Sequence, residues 1–181
     1  MMGLLLAGVA IFNIAGASLS AKKNSHPFLM EQVVLNDSDV SDTKAIDIPL
    51  EGDRIGTLTI PVLNKELAVF QGTSVKTLNK GVGHYTNSVM PGEKDNTVLS
   101  GHRDTVFTKL GDLSVGDQLI VETKDGKFTY VINGTRIVDK DDKTVIVPMD
   151  RAVLTLTTCY PFHFIGKAPD RYIITADLVI K

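Results

Sequence analysis

A single cysteine among 181 residues denies this chain an internal disulfide and every zinc site built from several thiolates. The four histidines are scattered and show no recognisable metal-ligand spacing. A basic excess is also missing: 19 Lys and Arg stand against 21 Asp and Glu, so a general nucleic-acid binder is excluded as a class. There is no phosphate-binding P-loop, no dinucleotide fingerprint and no Gly-x-Ser-x-Gly elbow. Internal repeats and low-complexity tracts are absent as well. What is present argues for a folded domain, because 43% of the residues are hydrophobic and only 22% are charged.

The chain reads in three parts. Residues 1–21 carry no charged side chain and approach the roughly 20 apolar residues that cross a bilayer. Asn13 and several Gly, Ala and Ser dilute the run. It is read as a membrane signal-anchor, with a cleaved signal or a buried segment as alternatives. Lys22 and Lys23 follow the run and no basic side chain precedes it, the reverse of what an outside C-terminus favours. A start inside a longer chain accounts for that. Residues 22–53 form a polar, acidic stalk with Asp37, Asp39, Asp42, Asp47, Glu51 and Asp53, and with a short helix around 27–35.

From residue 54 to 181 the pattern is that of one β domain. Runs rich in Val, Ile, Thr and aromatics occur at 55–60, 66–70, 96–100, 118–123, 127–132, 135–138, 152–157 and 172–180. Asp125-Gly126 between two of them signals a tight hairpin. Helical periodicity is limited to single turns at 74–79 and 106–110. The expected fold is an all-β, eight-stranded closed barrel with short helical turns, preceded by an N-terminal apolar helix.

Three residues stand where such a barrel presents chemistry. Cys159 closes the run Thr155-Leu-Thr-Thr-Cys159 before a proline-containing loop. A lone cysteine is commonly an inert buried hydrophobe, but an unpaired thiol outside the cytoplasm needs a reason to be there. A nucleophilic thiol needs an acid for its leaving group, and His102 follows a β-run and a glycine at another strand end. Arg171 opens the final strand, and an antiparallel pairing with the Cys159 strand returns its guanidinium to the thiol. An arginine there donates to an oxyanion or to substrate carbonyls; a surface ion pair with Asp170 or Asp177 is the plainer alternative. His84, in the Gly-rich Gly81-Val-Gly-His-Tyr85, either lines a cleft or packs. Asp139, Asp141 and Asp142 lack an EF-hand's order, so Ca²⁺ is unsupported and no metal is expected. The pairs Gly111-Asp112 and Gly116-Asp117 read as turns.

Taken together, Thr155-Leu-Thr-Thr-Cys159, Ser100-Gly-His102-Arg103 and Arg171 resemble the sortase family, over residues 55–180. Gly83-His84-Tyr85 and Pro91-Gly92-Glu93 stand in familiar places, and Cys159-Tyr-Pro-Phe with Ala168-Pro-Asp-Arg171 is most similar to class D sortases of Gram-positive bacteria. His26-Pro27-Phe28 is only loosely like the lid motif of pilin-polymerising relatives, so a lid is not expected. The resemblance implies a cysteine transpeptidase held at the cell membrane by a single N-terminal pass, with its catalytic domain outside. It implies that Cys159 attacks the Thr carbonyl of an LPxTG- or LPNTA-like sorting signal and that His102 serves as acid and then base. Arg171 holds the oxyanion or the signal, with Thr158, His84 and Tyr160 beside the substrate. The accepting amine belongs to a peptidoglycan precursor or cross-bridge, and no cofactor is required. A cysteine endopeptidase and a non-enzymatic β-barrel binding module are the rivals; the Ser/Thr-His-Gly-Cys order of an L,D-transpeptidase is absent.

Overall fold

The computed structural model describes residues 48–163, 166 and 168–180. All of these belong to the second of the chain's two units, Ile46–Lys181. The apolar run 1–21, the short helix expected at 27–35 and residues 22–47 as a whole lie outside the described residues.

β1, Arg54–Ile60, turns Leu58 and Ile60 inward to 0% exposure, as period-two alternation requires. Pro61 stops it and opens a 3-10 turn, Pro61–Leu63, and Asn64 at φ 51 reverses the chain into β2, Lys65–Gln71. Ser74 then caps α1, Val75–Leu78, its hydroxyl accepting the Thr77 N–H at 3.3 Å. β3, Val82–His84, lies parallel to β2 and antiparallel to β4, Asp95–Ser100. The later strands are β5, Gln118–Thr123; β6, Gly126–Asp139; β7, Ala152–Tyr160; and β8, Asp170–Ile180. The hairpin between β5 and β6 turns at Asp125-Gly126, where Gly126 has φ 146.

The sheet closes in the order β1-β2-β3-β4-β7-β8-β6-β5. Its interior is filled by Leu58, Ile60, Leu99, Leu119, Tyr130, Leu154, Leu156 and Ile174, each at 0% exposure. Burying apolar side chains of this size contributes about 1.5–3 kcal/mol each. Tyr130 brings a hydroxyl into that core, and the Gly92 N–H donates to it at 2.8 Å.

The expected barrel and its eight strands are found, but the set differs in two places. β3 is an added strand of three residues, and the runs at 127–132 and 135–138 are one continuous β6. A register shift between Ile132 and Gly134 sets Asn133 out of the ladder, where its amide donates to Asp177 Oδ2 at 2.7 Å. The helical turn at 74–79 holds α1. The one expected at 106–110 lies further on, as a 3-10 turn at Leu110–Asp112. Residues 48–53, read above as the end of the stalk, are stitched to the barrel. Gly52 N–H donates to Gln71 O and Gln71 N–H to Asp53 O, both at 2.8 Å, and Thr77 donates to Glu51 Oε1 at 2.7 Å.

Candidate active site

β4 and β7 run parallel, so both end at the same mouth of the barrel, and antiparallel β8 begins there. Their last paired residues are Ser100 and Thr157. One step beyond, Gly101 N–H donates to Thr157 O at 3.2 Å, and Thr158 Oγ1 donates to Gly101 O at 2.7 Å. A Cβ on Gly101 would come within 2.7 Å of both Phe107 and Val106, so only glycine lets the chain turn so close to them. His102 and Cys159 each stand two residues past the Ser100–Thr157 pair in sequence. On the other side of β7, Cys159 is the register partner of Arg171. Cys159 thus faces Arg171 across the β7/β8 ladder, and the chain that leaves β4 toward His102 departs beside the same end of β7.

The polar atoms of these three residues are largely unengaged. The Cys159 thiol is free and half-buried. His102 shapes its turn through its carbonyl, which accepts from Phe107 N–H at 3.1 Å, while its half-buried imidazole makes no hydrogen bond among the described residues. Arg171 Nη1 donates to Asp170 O at 2.9 Å and, at 3.4 Å, to Ala168 O; Nε and Nη2 make no such bond. Such a set offers a nucleophile, a proton carrier and a fixed cation.

The other nominated residues are placed differently from one another. Thr158 is 3% exposed and its hydroxyl is bound to Gly101 O, so it ties the nucleophile strand to the histidine turn rather than facing a substrate. His84 corrects the cleft-lining reading more sharply, since it is 1% exposed. Its Nδ1 lies 2.8 Å from Gln71 Oε1, and its Nε2 lies 3.0 Å from Val89 O and 3.1 Å from Ser88 Oγ. A neutral ring satisfies this when Nε2–H donates to Val89 and the Gln71 amide turns its NH₂ toward Nδ1. Burial holds the His84 pKa below the ordinary imidazole value, opposed by the Val89 carbonyl. Tyr160 follows Cys159 at the end of β7, in a ring cluster with Phe162 at 5.5 Å and Tyr172 at 6.2 Å between centroids.

Asp139, Asp141 and Asp142 use their oxygens locally. Asp139 accepts from Asp141 N–H at 2.8 Å, Asp142 accepts from Thr144 N–H at 2.6 Å, and Asp141 pairs with Lys140. Among the described residues no group of three acidic, His or Cys side chains is placed to hold a metal. Arg103 was missed as a functional candidate from sequence. It is 7% exposed and binds the chain between β7 and β8. Its position directly after His102 was the available signal.

Comparison with known proteins identifies the family. The sortase domain model matches residues 58–179. The chain belongs to the sortase family. Sortases are cysteine transpeptidases associated with the cell surface, and the class D character is carried by 49% identity to sortase D of Bacillus subtilis (strain 168). That match covers 77% of this chain and 71% of the relative. Among solved sortases, a Clostridium perfringens sortase D5 transpeptidase superposes with a TM-score of 0.67 at 29% identity, covering 75% of this chain and 85% of that one. A C. perfringens sortase C solved with a C-terminal cell wall sorting motif gives a TM-score of 0.67 at 29% identity, covering 73% and 74%. Among the described residues of this sortase, no helix is long and apolar enough to cross a membrane.

Proposed function

We propose that this sortase cleaves an LPxTG- or LPNTA-like sorting signal after its Thr and transfers the acyl part to a cell-wall amine through a thioacyl enzyme on Cys159. The observation that supports the reading is the Cys159–Arg171 register pair at the end of β7, with the parallel β4 leading to His102 at the same mouth of the barrel.

The chemistry proceeds in two balanced halves. The Cys159 thiol passes its proton to His102 as Sγ adds to the Thr carbonyl carbon, Arg171 donates to the oxygen that becomes negative, and collapse breaks the C–N bond. His102 gives the departing amine its proton. An incoming amine then gives a proton to His102 and attacks the thioester carbon; an amide forms and the C–S bond breaks. The acyl group stays activated throughout, so amines are exchanged without a cofactor. Tyr160, Phe162 and Tyr172 form a ring cluster under the end of β7, on the face opposite Cys159 and Arg171. Thr158 and His84 have structural parts in this scheme. The amine is that of a peptidoglycan precursor or cross-bridge, and residues 1–21 hold the enzyme to the cytoplasmic membrane with the barrel outside.

The test uses the chain from residue 24 onward, peptides containing LPNTA or LPQTG, an added amine nucleophile, and mass spectrometry of the products. A product cut after Thr and joined to the amine, absent from Cys159→Ala, is expected. Free acid alone, even at high amine, would favour the endopeptidase, and no cleavage would favour a binding module.

A further inference from the structure

Arg103 adjoins His102 in sequence, yet its side chain is buried at 7% exposure. Its Nη1 donates to Pro161 O at 3.0 Å and its Nη2 to Gly166 O at 3.1 Å. Asp104 Oδ1 lies 3.4 Å from its Nε, but that carboxylate is 72% exposed and well screened. The buried cation thus donates to two backbone carbonyls of the connection that follows Cys159 and precedes Arg171. Burying a guanidinium is unfavourable unless its donors are met, which makes this grip selective for one placement of the connection. A planar fork reaches two carbonyls at once, and an ammonium at the end of a shorter stem does not reproduce that geometry.

Pro161 stands two residues after Cys159, and Gly166 five before Arg171. One side chain from the histidine turn thus holds the connection between Cys159 and Arg171. We propose that Arg103 is a positioning residue that locks the Cys159–Arg171 connection onto the His102 turn, so that the three reacting groups share one frame. This rests on the transpeptidase reading. It concerns placement only, since Arg103 need not touch the substrate.

The experiment compares wild type, Arg103→Lys, Arg103→Met and Arg103→Ala with and without millimolar guanidinium ion. It reads kcat and KM for peptide plus amine, the rate of Cys159 alkylation, and amide exchange by mass spectrometry. Arg103→Met is expected to raise exchange within 161–170 while β4 and β7 stay protected, to change the alkylation rate, and to lower kcat about 30-fold with KM moved less than about threefold. Arg103→Lys should fall between the two, and guanidinium should restore part of the Arg103→Ala loss. Unchanged exchange in 161–170 would overturn the proposal. So would raised exchange with kcat within about threefold of wild type. A loss that follows exchange across the whole barrel, with no recovery from Lys or guanidinium, would reduce Arg103 to a fold residue and also overturn it. A wild type that makes no amine-linked product would condemn the functional reading separately, because exchange and alkylation judge the clamp without any peptide.

Discussion

Two Gly-His pairs lie on neighbouring strands of this barrel, and the fold treats them in opposite ways. Gly83-His84 ends β3 with its imidazole buried and both ring nitrogens bonded. Gly101-His102 leaves β4 at the barrel mouth with an imidazole that is half-buried and unbonded among the described residues. The dipeptide is the same; what differs is how far along the strand it falls. His84 is paired with Leu99, inside the ladder, whereas His102 lies two residues past the last pair of β4. A polar group inside the ladder must be satisfied by the fold, and one just beyond it is left available for chemistry.

Substitution at the mouth should separate the two regions most strongly. Cys159→Ala is expected to lower peptide turnover by about four orders of magnitude, and His102→Ala by about 10²–10⁴, with melting temperatures near that of wild type. Next comes Arg171→Lys, which keeps the charge but loses the fork, with about 10²–10³ lost in kcat and little in stability. His84→Leu should do the reverse. It leaves the Val89 carbonyl and the Gln71 amide without their partner and costs about 1–3 kcal/mol in denaturant melts, while activity per folded molecule is retained.

The contrast also has a pH signature. Because burial lowers the His84 pKa, the unfolded chain binds the proton more readily than the folded one. Its contribution to stability is full above the ordinary imidazole value of 6.5 and declines as pH falls from there toward the lowered folded value. Thermal melts across that range should show a slope that His84→Gln flattens. The smallest effect expected is that of Thr158→Val, about 1 kcal/mol of stability from the lost bond to Gly101 O.

Much of this arrangement was legible in the order of residues, and the exceptions have physical causes. The pairing of Cys159 with Arg171 could be read because strand ends follow β-rich runs and turn residues, and both stand at such ends. β3 escaped because it has three residues and contains a glycine, too short for alternation to register. β6 was divided because Asn133-Gly134 has the composition of a turn, whereas here it is a bulge within one long strand. Thr158 was set beside the substrate as the neighbour of Cys159 and His84 as a member of a Gly-rich loop; their burial depends on which neighbours close over them, which no local pattern encodes. Arg103 was read only as part of a motif, since its carbonyl partners lie 58 and 63 residues away.

The most direct test of the central claim is the intact mass of the protein after incubation with a sorting-signal peptide and no added amine. The account predicts an adduct equal to the acyl portion ending in Thr, mapped to Cys159, released by hydroxylamine, discharged by a wall-type amine and absent from Cys159→Ala. Cleavage that proceeds without any adduct on Cys159, or that persists in Cys159→Ala, would contradict it.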